Sequence, residues 1–425
     1  MLKNRQTLLF LGDILVLVLA FCVMVALRFD VDTQGEVIRT QTYSFALLFI
    51  LWLIVLYVFD LYNLRRVNPN PRTIGTLALA IVTSTLLSGV IFYLFPVQGI
   101  TPKTNLAIIA VSAFVLLVGW RRLFYNLFAS TYTQKIAVIG SDPAIDHLLA
   151  DLAKHPHIGT VVEVQKAYDK SCRLPTVHLV IADNVSLECL MHITETTGAE
   201  ILSLIGAYEE LFGKIPLSLM TDERAIAIMT NQRNSAYALF ERIIELLVAT
   251  TVLIITLPIL LLAVIAILIE DGGPVLYRQS RVGKNGTIFQ ILKLRSMTKT
   301  AEANGAQWAA THDARVTRIG RILRKTHIDE IPQMYNIIRG DIALIGPRAE
   351  RPEFVTTLER DIPYYSIRHT AKPGFTGWAQ IKFHYARTTE ESREKFEYDL
   401  YYLKNKNPLL DLGILLKTIQ IIFTH

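Results

Sequence analysis

The chain has 425 residues, 52% of them hydrophobic, and a formal net charge of +6. That length exceeds one ordinary domain, and that apolar share excludes a wholly water-soluble protein. Lys and Arg concentrate in the final third without a nucleic-acid-binding signature, so lipid headgroups and small phosphorylated substrates are the predicted partners, not nucleic acid.

Lys3 and Arg5 precede an apolar run, as in a signal peptide. No small-residue cleavage site follows convincingly and further apolar runs come after it, which makes it an anchor. Four stretches of spanning length are predicted, at about Leu8–Leu27, Tyr43–Phe59, Ile74–Phe95 and Leu106–Trp120. The flanking charges alternate. Lys3 and Arg5, then Arg65, Arg66 and Arg72, then Arg121, Arg122 and Lys135 mark one side, whereas Asp30, Asp32 and Glu36 mark the other. By the positive-inside rule both ends of this four-helix transmembrane bundle face the cytoplasm. Cys22, Cys172 and Cys189 match neither a metal site nor a disulfide framework, which fits a reducing compartment for the soluble parts.

From Gln134 the texture changes. K-I-A-V-I-G-S-D-P-A (Lys135–Ala144) reads as a buried strand, a glycine turn and a helix start. A helix near Ile145–Lys154 and strands around Val161–Val164 and His178–Ala182 follow, predicting a Rossmann-like α/β domain. Only Gly140 of the dinucleotide fingerprint is present, so a structural or regulatory role is predicted over NAD binding. A polar linker is predicted at Thr230–Ser235.

Residues 243–269 are then apolar apart from Glu245. The length would cross a bilayer, but Arg233 and Arg242 precede the run and Arg278, Arg281 and Lys284 follow it. Pro258 favours a sharp bend near the middle. The prediction is a re-entrant helix broken at Pro258; a kinked fifth span is the alternative. Further on, Tyr277–Met297 reads as a hairpin whose second strand carries Lys293 and Arg295 on one face. Phe354–Ile367 and Pro408–Phe423 are amphipathic, the latter fitting either the membrane interface or an ordinary core.

The chemistry centres on H-I-D-E-I-P-Q (His327–Gln333). Pro332 fits a first helical turn and Gly340 a helix end, which sets Asp329 at or beside an N-cap, where the helix field favours an ionised carboxylate and an incoming phosphate. Glu330 beside it makes a shared cation attractive, and Mg²⁺ with two carboxylates and substrate oxygens suits the pair. Arg315, Arg318, Arg321, Arg324 and Lys325 precede the dyad, spread over one side of a helix. Arg324, nearest the dyad, is the predicted phosphate contact, and Arg348 follows a buried strand at Ile342–Ile345. Arg suits diphosphate because its planar fork bonds two oxygens at once. His312, His327, His369 and His384 lack ligand spacing, so zinc is not predicted.

Six segments together resemble the bacterial sugar transferases, the polyprenyl-phosphate hexose-1-phosphate transferases of exopolysaccharide and O-antigen synthesis. They are R-Q-S-R-V-G, K-L-R-S-M, T-R-I-G-R-I-L-R-K-T-H-I-D-E-I-P-Q, G-D-I-A-L-I-G-P-R, K-P-G-F-T-G-W-A-Q (Lys372–Gln380) and Y-D-L-Y-Y-L-K-N. The resemblance covers residues from about Asn234 onward, and the layout before it is similar to the large members of the group. It implies a monotopic α/β catalytic domain on a re-entrant helix, in the bacterial inner membrane and facing the cytoplasm. It implies that Asp329 attacks the sugar-bearing phosphate of a UDP-sugar, expels UMP, and passes the phosphosugar to undecaprenyl phosphate. Glu330 would help hold Mg²⁺ with Asp329, and Lys293, Arg324 and Arg348 match family phosphate contacts. The expected division is residues 1–131, 132–230 and 231–425, with a homodimer left open. One departure follows W-A-Q. Many small members carry a Gly-Arg pair where this chain reads I-K-F-H-Y-A (Ile381–Ala386), so Lys382, His384 or Arg387 would have to substitute. A membrane-bound nucleotide-sugar dehydratase and a non-catalytic assembly scaffold are the competing readings. The first lacks a second glycine-rich unit, and the second has no need of an acidic pair beside basic residues.

Overall fold

The N-terminal apolar runs fold as the helices Leu2–Arg28, Val31–Val58, Pro71–Leu94 and Pro102–Phe128. The computed structural model describes residues 2–59, 61–62, 71–94, 102–128, 135–156, 158–165, 174–230, 235–299, 301, 313, 315–383 and 388–424. Among these, five helices are long and apolar enough to cross a membrane, the four above and Ser235–Asp271. Leu17, Met24, Trp52, Leu56 and Phe124 lie in the interior shared by the first four. Leu15, Leu47, Leu86 and Val115 remain largely exposed on the outside, a surface suited to lipid. Trp52 Nε1 donates to Ser88 Oγ at 2.9 Å. Arg121 pairs with Asp13 at 2.7 Å, both side chains buried. Arg121 is therefore neutralised internally and drops out of the flanking charges that orient these helices.

The chain divides into two compact units, the second running mainly from Leu202 to the C-terminus. The first includes most of a four-stranded sheet, β1 (Lys135–Ile139), β2 (Thr160–Gln165), β3 (Leu179–Ala182) and β4 (Glu200–Ser203), in the order β2-β1-β3-β4. β1 and β2 are parallel, and the order reverses direction at β1, as in doubly wound folds. After β1 the Asp142 carboxylate accepts the Ala144 N–H at 2.7 Å, so a side chain of this chain takes a donor at the start of the helix Ala144–Lys154.

In the second unit the helix Ser235–Asp271 runs continuously through Pro258. The helical assignment does not stop at that proline. β5 (Leu276–Val282) and β6 (Ile288–Leu294) form the antiparallel hairpin, with Asn285 and Gly286 at positive φ in its turn. β7 (Ala343–Ile345) and β8 (Gly374–Thr376) pair in parallel. Around them lie the helices Arg318–Lys325, Gln333–Arg339, Pro352–Asp361, Trp378–Lys382, Thr389–Asn405 and Pro408–Thr424. The amphipathic stretch expected over Phe354–Ile367 is thus the helix Pro352–Asp361, followed by a 3-10 segment at Tyr365–Thr370. The last helix buries Asp411 and Ile414 in the core and exposes Leu409 and Ile419.

Residues 204–230 need a different assignment from the one drawn at residue 230. Ile215, Met220, Ala225 and Ile228 share a core with Leu358, Ile362, Phe396 and Leu400. The apolar face of this segment completes the second unit.

Candidate active site

A short 3-10 turn, Ile328–Glu330, carries the acidic pair. His327 enters it at φ 55°, and Pro332, not Asp329, is the cap of the helix Gln333–Arg339. Asp329 caps no helix, so the field invoked for its ionisation is not that of an N-cap. Burial sets its character. The side chain is 6% exposed, and no side chain among the described residues hydrogen-bonds its carboxylate. Burial raises the Asp329 carboxyl to about 6; Lys293, Arg324 and His327 pull against this, and the neighbouring Glu330 charge adds to it.

Glu330 behaves oppositely. Burial opposes its ionised form, but Lys293 and Arg348 outweigh it and hold the carboxyl down at about 2. Lys293 Nζ lies 2.5 Å from Glu330 Oε1. Two adjacent carboxylates thus differ because Lys293 hydrogen-bonds only Glu330 and Arg348 adds to its hold there, whereas burial prevails at Asp329.

The frame is set by polar residues within the apolar core. Asn336 accepts from the Leu292 N–H at 3.0 Å and donates to the Gln290 carbonyl at 2.8 Å, fastening the helix after the dyad to the strand that carries Lys293. It also donates to Asp341 at 3.0 Å. Gly320 lets the helix Arg318–Lys325 approach Ser296 closely: a Cβ there would lie 2.0 Å from the Ser296 carbonyl oxygen. That approach brings Arg324 Nε to Ser296 Oγ at 2.9 Å. Arg318 and Arg321 stay exposed, and Arg315 turns to Asp313 at 2.6 Å. Of the five basic residues before the dyad, Arg324 is the one that turns toward Ser296 and lowers Asp329.

Arg348 extends from the loop after β7, its Nη1 3.3 Å from Gln380 Oε1. Behind it, Arg368 donates to the Arg348 carbonyl at 3.0 Å and to Asp399 at 3.0 Å, both side chains buried. Glu350 is held at about 2, against its burial, by Lys395, Arg368 and Arg348. Burial next to Arg348 pushes Arg281 down to about 10. Asn336, Ser296, Gln380 and Arg368 were not singled out from sequence. The signal that could have found them is a polar residue in an otherwise apolar pattern.

Arg295 is not brought to the dyad. β6 ends at Leu294, and the Arg295 guanidinium turns to Asp271 Oδ2 at 3.1 Å and to the Gly272 carbonyl at 2.5 Å. It secures the end of the helix Ser235–Asp271 instead of facing substrate. Lys382 lies over the Trp378 ring at 4.6 Å, while His312, His384 and Arg387 fall outside the described residues.

For a divalent cation the fit rests on Asp329 and Glu330. Among the described residues no group of three metal-ligating side chains exists, so these two carboxylates are the candidate ligands.

The profile of the family described as bacterial sugar transferase matches residues 236–425. A UDP-glucose:undecaprenyl-phosphate glucose-1-phosphate transferase of Caulobacter vibrioides is 39% identical over 191 residues, which are 44% of this chain and 72% of that protein. The chain belongs to the bacterial sugar transferase family. A UDP-N-acetylgalactosamine-undecaprenyl-phosphate N-acetylgalactosaminephosphotransferase of Aeromonas hydrophila is 39% identical over 216 residues, 51% of this chain. The chain spans half of that relative's length. A UDP-glucose:undecaprenyl-phosphate glucose-1-phosphate transferase of Klebsiella pneumoniae is 28% identical over 331 residues, covering 71% of this chain and 69% of its own. The dyad, Lys293, Arg324 and Arg348 all lie within the stretch matched by the sugar transferase profile.

Proposed function

We propose that this sugar transferase moves a hexose-1-phosphate from a UDP-sugar to undecaprenyl phosphate through Asp329. The observation that carries the reading is a buried carboxylate without a hydrogen-bond partner among the described residues, flanked by Lys293 and Arg324. One Asp329 carboxylate oxygen bonds the sugar-bearing phosphorus while the bond from that phosphorus to the bridging oxygen breaks, and the electron pair leaves with UMP. A phosphate oxygen of the lipid then bonds the same phosphorus and releases the aspartate, giving the lipid diphosphate sugar. Such a two-step path predicts ping-pong kinetics. Lys293, Arg324 and Arg348 neutralise phosphate charge along this path, Arg by its two-pronged donor geometry. Mg²⁺ held by Asp329 and Glu330 would supply further charge stabilisation on phosphate oxygens.

The sugar is left open by the relatives. Two proteins at the same 39% identity carry names with glucose in one and N-acetylgalactosamine in the other.

A re-entrant path for Ser235–Asp271, with the catalytic unit on the cytoplasmic side, is part of the same proposal. Both ends of the helix attach to one compact unit. Arg242 donates to the carbonyls of Ile337 and Ile338 at 2.8 Å each, and Glu245 accepts the Leu344 N–H at 3.2 Å. At the other end Glu270 accepts the N–H groups of Arg318 and Ile319 at 2.7 and 3.0 Å. A helix crossing a hydrocarbon layer of about 30 Å would carry its ends to opposite sides.

The test is direct. Purified protein, undecaprenyl phosphate, Mg²⁺ and a panel of UDP-sugars are expected to release UMP, and Asp329→Asn to abolish release and the covalent adduct seen by mass spectrometry. Undiminished turnover in Asp329→Asn would move the nucleophile elsewhere.

A further inference from the structure

Arg348 depends on a chain of contacts that starts outside the residues matched by the family profile. Its side-chain partner Gln380 sits on the helix Trp378–Lys382, a single short element whose own hydrogen bonds cannot fix it in space. At one end of that helix Gly377 lies against Gly346, where a Cβ would come 2.1 Å from the Gly346 carbonyl oxygen. At the other contact Trp378 Nε1 donates to the Gly213 carbonyl at 2.7 Å. The indole also stacks on Tyr401, with ring centroids 5.6 Å apart and planes inclined by 28°.

Gly213 is built for this approach. It ends the π-helix Tyr208–Phe212 in the left-handed region at φ 68°, and a Cβ on it would come within 2.8 Å of Trp378 Cζ2. The segment around it is fastened to the helix Thr389–Asn405. Ile215 N–H donates to the Glu397 carbonyl at 3.0 Å, Leu217 N–H to the Glu397 carboxylate at 3.0 Å, and buried Lys214 lies 3.6 Å from the same carboxylate. The Gly213 carbonyl is therefore a fixed acceptor, not one on a loose loop.

We propose that Trp378 is a positioning residue: its N–H, anchored on the Gly213 carbonyl, holds the helix Trp378–Lys382 so that Gln380 keeps Arg348 aimed at the dyad. The segment 204–219 thereby becomes part of the catalytic machinery. This rests on Arg348 acting on the donor phosphate, as in the function proposed above.

The test uses the full-length chain in lipid nanodiscs, with UMP release from UDP-glucose and UDP-N-acetylgalactosamine. Trp378→Phe keeps an aromatic ring beside Tyr401 and removes the donor together with part of the indole surface. It is expected to lower kcat/KM for the UDP-sugar about threefold to tenfold, the worth of one hydrogen bond, with a melting temperature lowered by no more than about 2–4 °C. Gln380→Ala is expected to do the same, and the double variant to be no worse than the poorer single one, because both act through Arg348. An unaltered kcat/KM in Trp378→Phe, or effects that multiply in the double variant, would overturn the proposal. Calorimetric binding of the same UDP-sugars runs alongside. Binding without UMP release in the wild type would count against the reaction itself, and the same pair of variants would then be judged by affinity.

Discussion

Asp329 and Glu330 are adjacent in sequence yet differ in acidity, because Lys293 and Arg348 outweigh burial at Glu330 and not at Asp329. With the Asp329 carboxyl raised to about 6 by burial, the ionised form of the proposed nucleophile is depleted below that pH. The donor half-reaction is expected to gain rate with pH along an ascending limb at or below about 6, because any added cation lowers it further; a limb near pH 8 would contradict it. Lys293→Gln removes the charge that lowers both carboxyls, so the limb is expected to move to higher pH while turnover falls. Stability runs the opposite way: a carboxyl raised by folding stabilises the protein below its unfolded value, and that contribution is lost as pH rises through about 6. Arg295 shows where residue-level reading stopped. Period two groups it with Lys293, but the strand ends at Leu294, and past a strand end the pleat no longer dictates direction. Arg295 is 7% exposed and serves the carbonyl of Gly272. Arg295→Met is therefore expected to cost about 1–3 kcal/mol of stability, measured by denaturation, by removing the charged hydrogen bonds to the Gly272 carbonyl and Asp271.

At the scale of elements, most helices and strands were legible because their apolar period is strong. The β1 strand and the last helix fall within a residue or two of their expected places, and the hairpin ends three residues short of Met297. The segment 204–230 was not legible as part of the second unit. Its apolar residues announce a buried face but not which core receives it, and a polar linker after it looked like a boundary. Pro258 lies inside a helix whose two halves are held by tertiary contacts. Val248, Val252 and Leu253 pack with the core around Ile337, and Leu260, Val264 and Ile267 with the core around Leu323. This makes the path of the helix testable. In a background with the three native cysteines replaced, single cysteines at Leu239 and Ile269, both exposed, are expected to react with a membrane-impermeant thiol reagent from the same side. A cysteine at exposed Ile255 is expected to be shielded by lipid. Labelling of Leu239 and Ile269 variants from opposite sides would make the helix a span.

Across the whole molecule, the two compact units own separate cores, one around Trp52 and Phe124, the other around Ile337 and Phe396. The first unit contains the pair most exposed to loss by a single change, Asp13 and Arg121, at 0% and 2% exposure. Arg121 also bonds the Leu61 carbonyl. Removing one member of a buried pair leaves the other charged and unmatched, a cost of about 3–5 kcal/mol, whereas replacing both by apolar residues of similar size is often neutral. Arg121→Leu is therefore expected to lower the thermal resistance of the first unit, and Asp13→Leu combined with Arg121→Leu to restore most of it. UMP release per folded molecule is expected to stay within about twofold of the parent in either variant, since the two units have separate cores. A matching collapse of turnover in folded Arg121→Leu protein would mean that the sugar transferase site takes its geometry from the N-terminal helices as well as from the residues around Asp329.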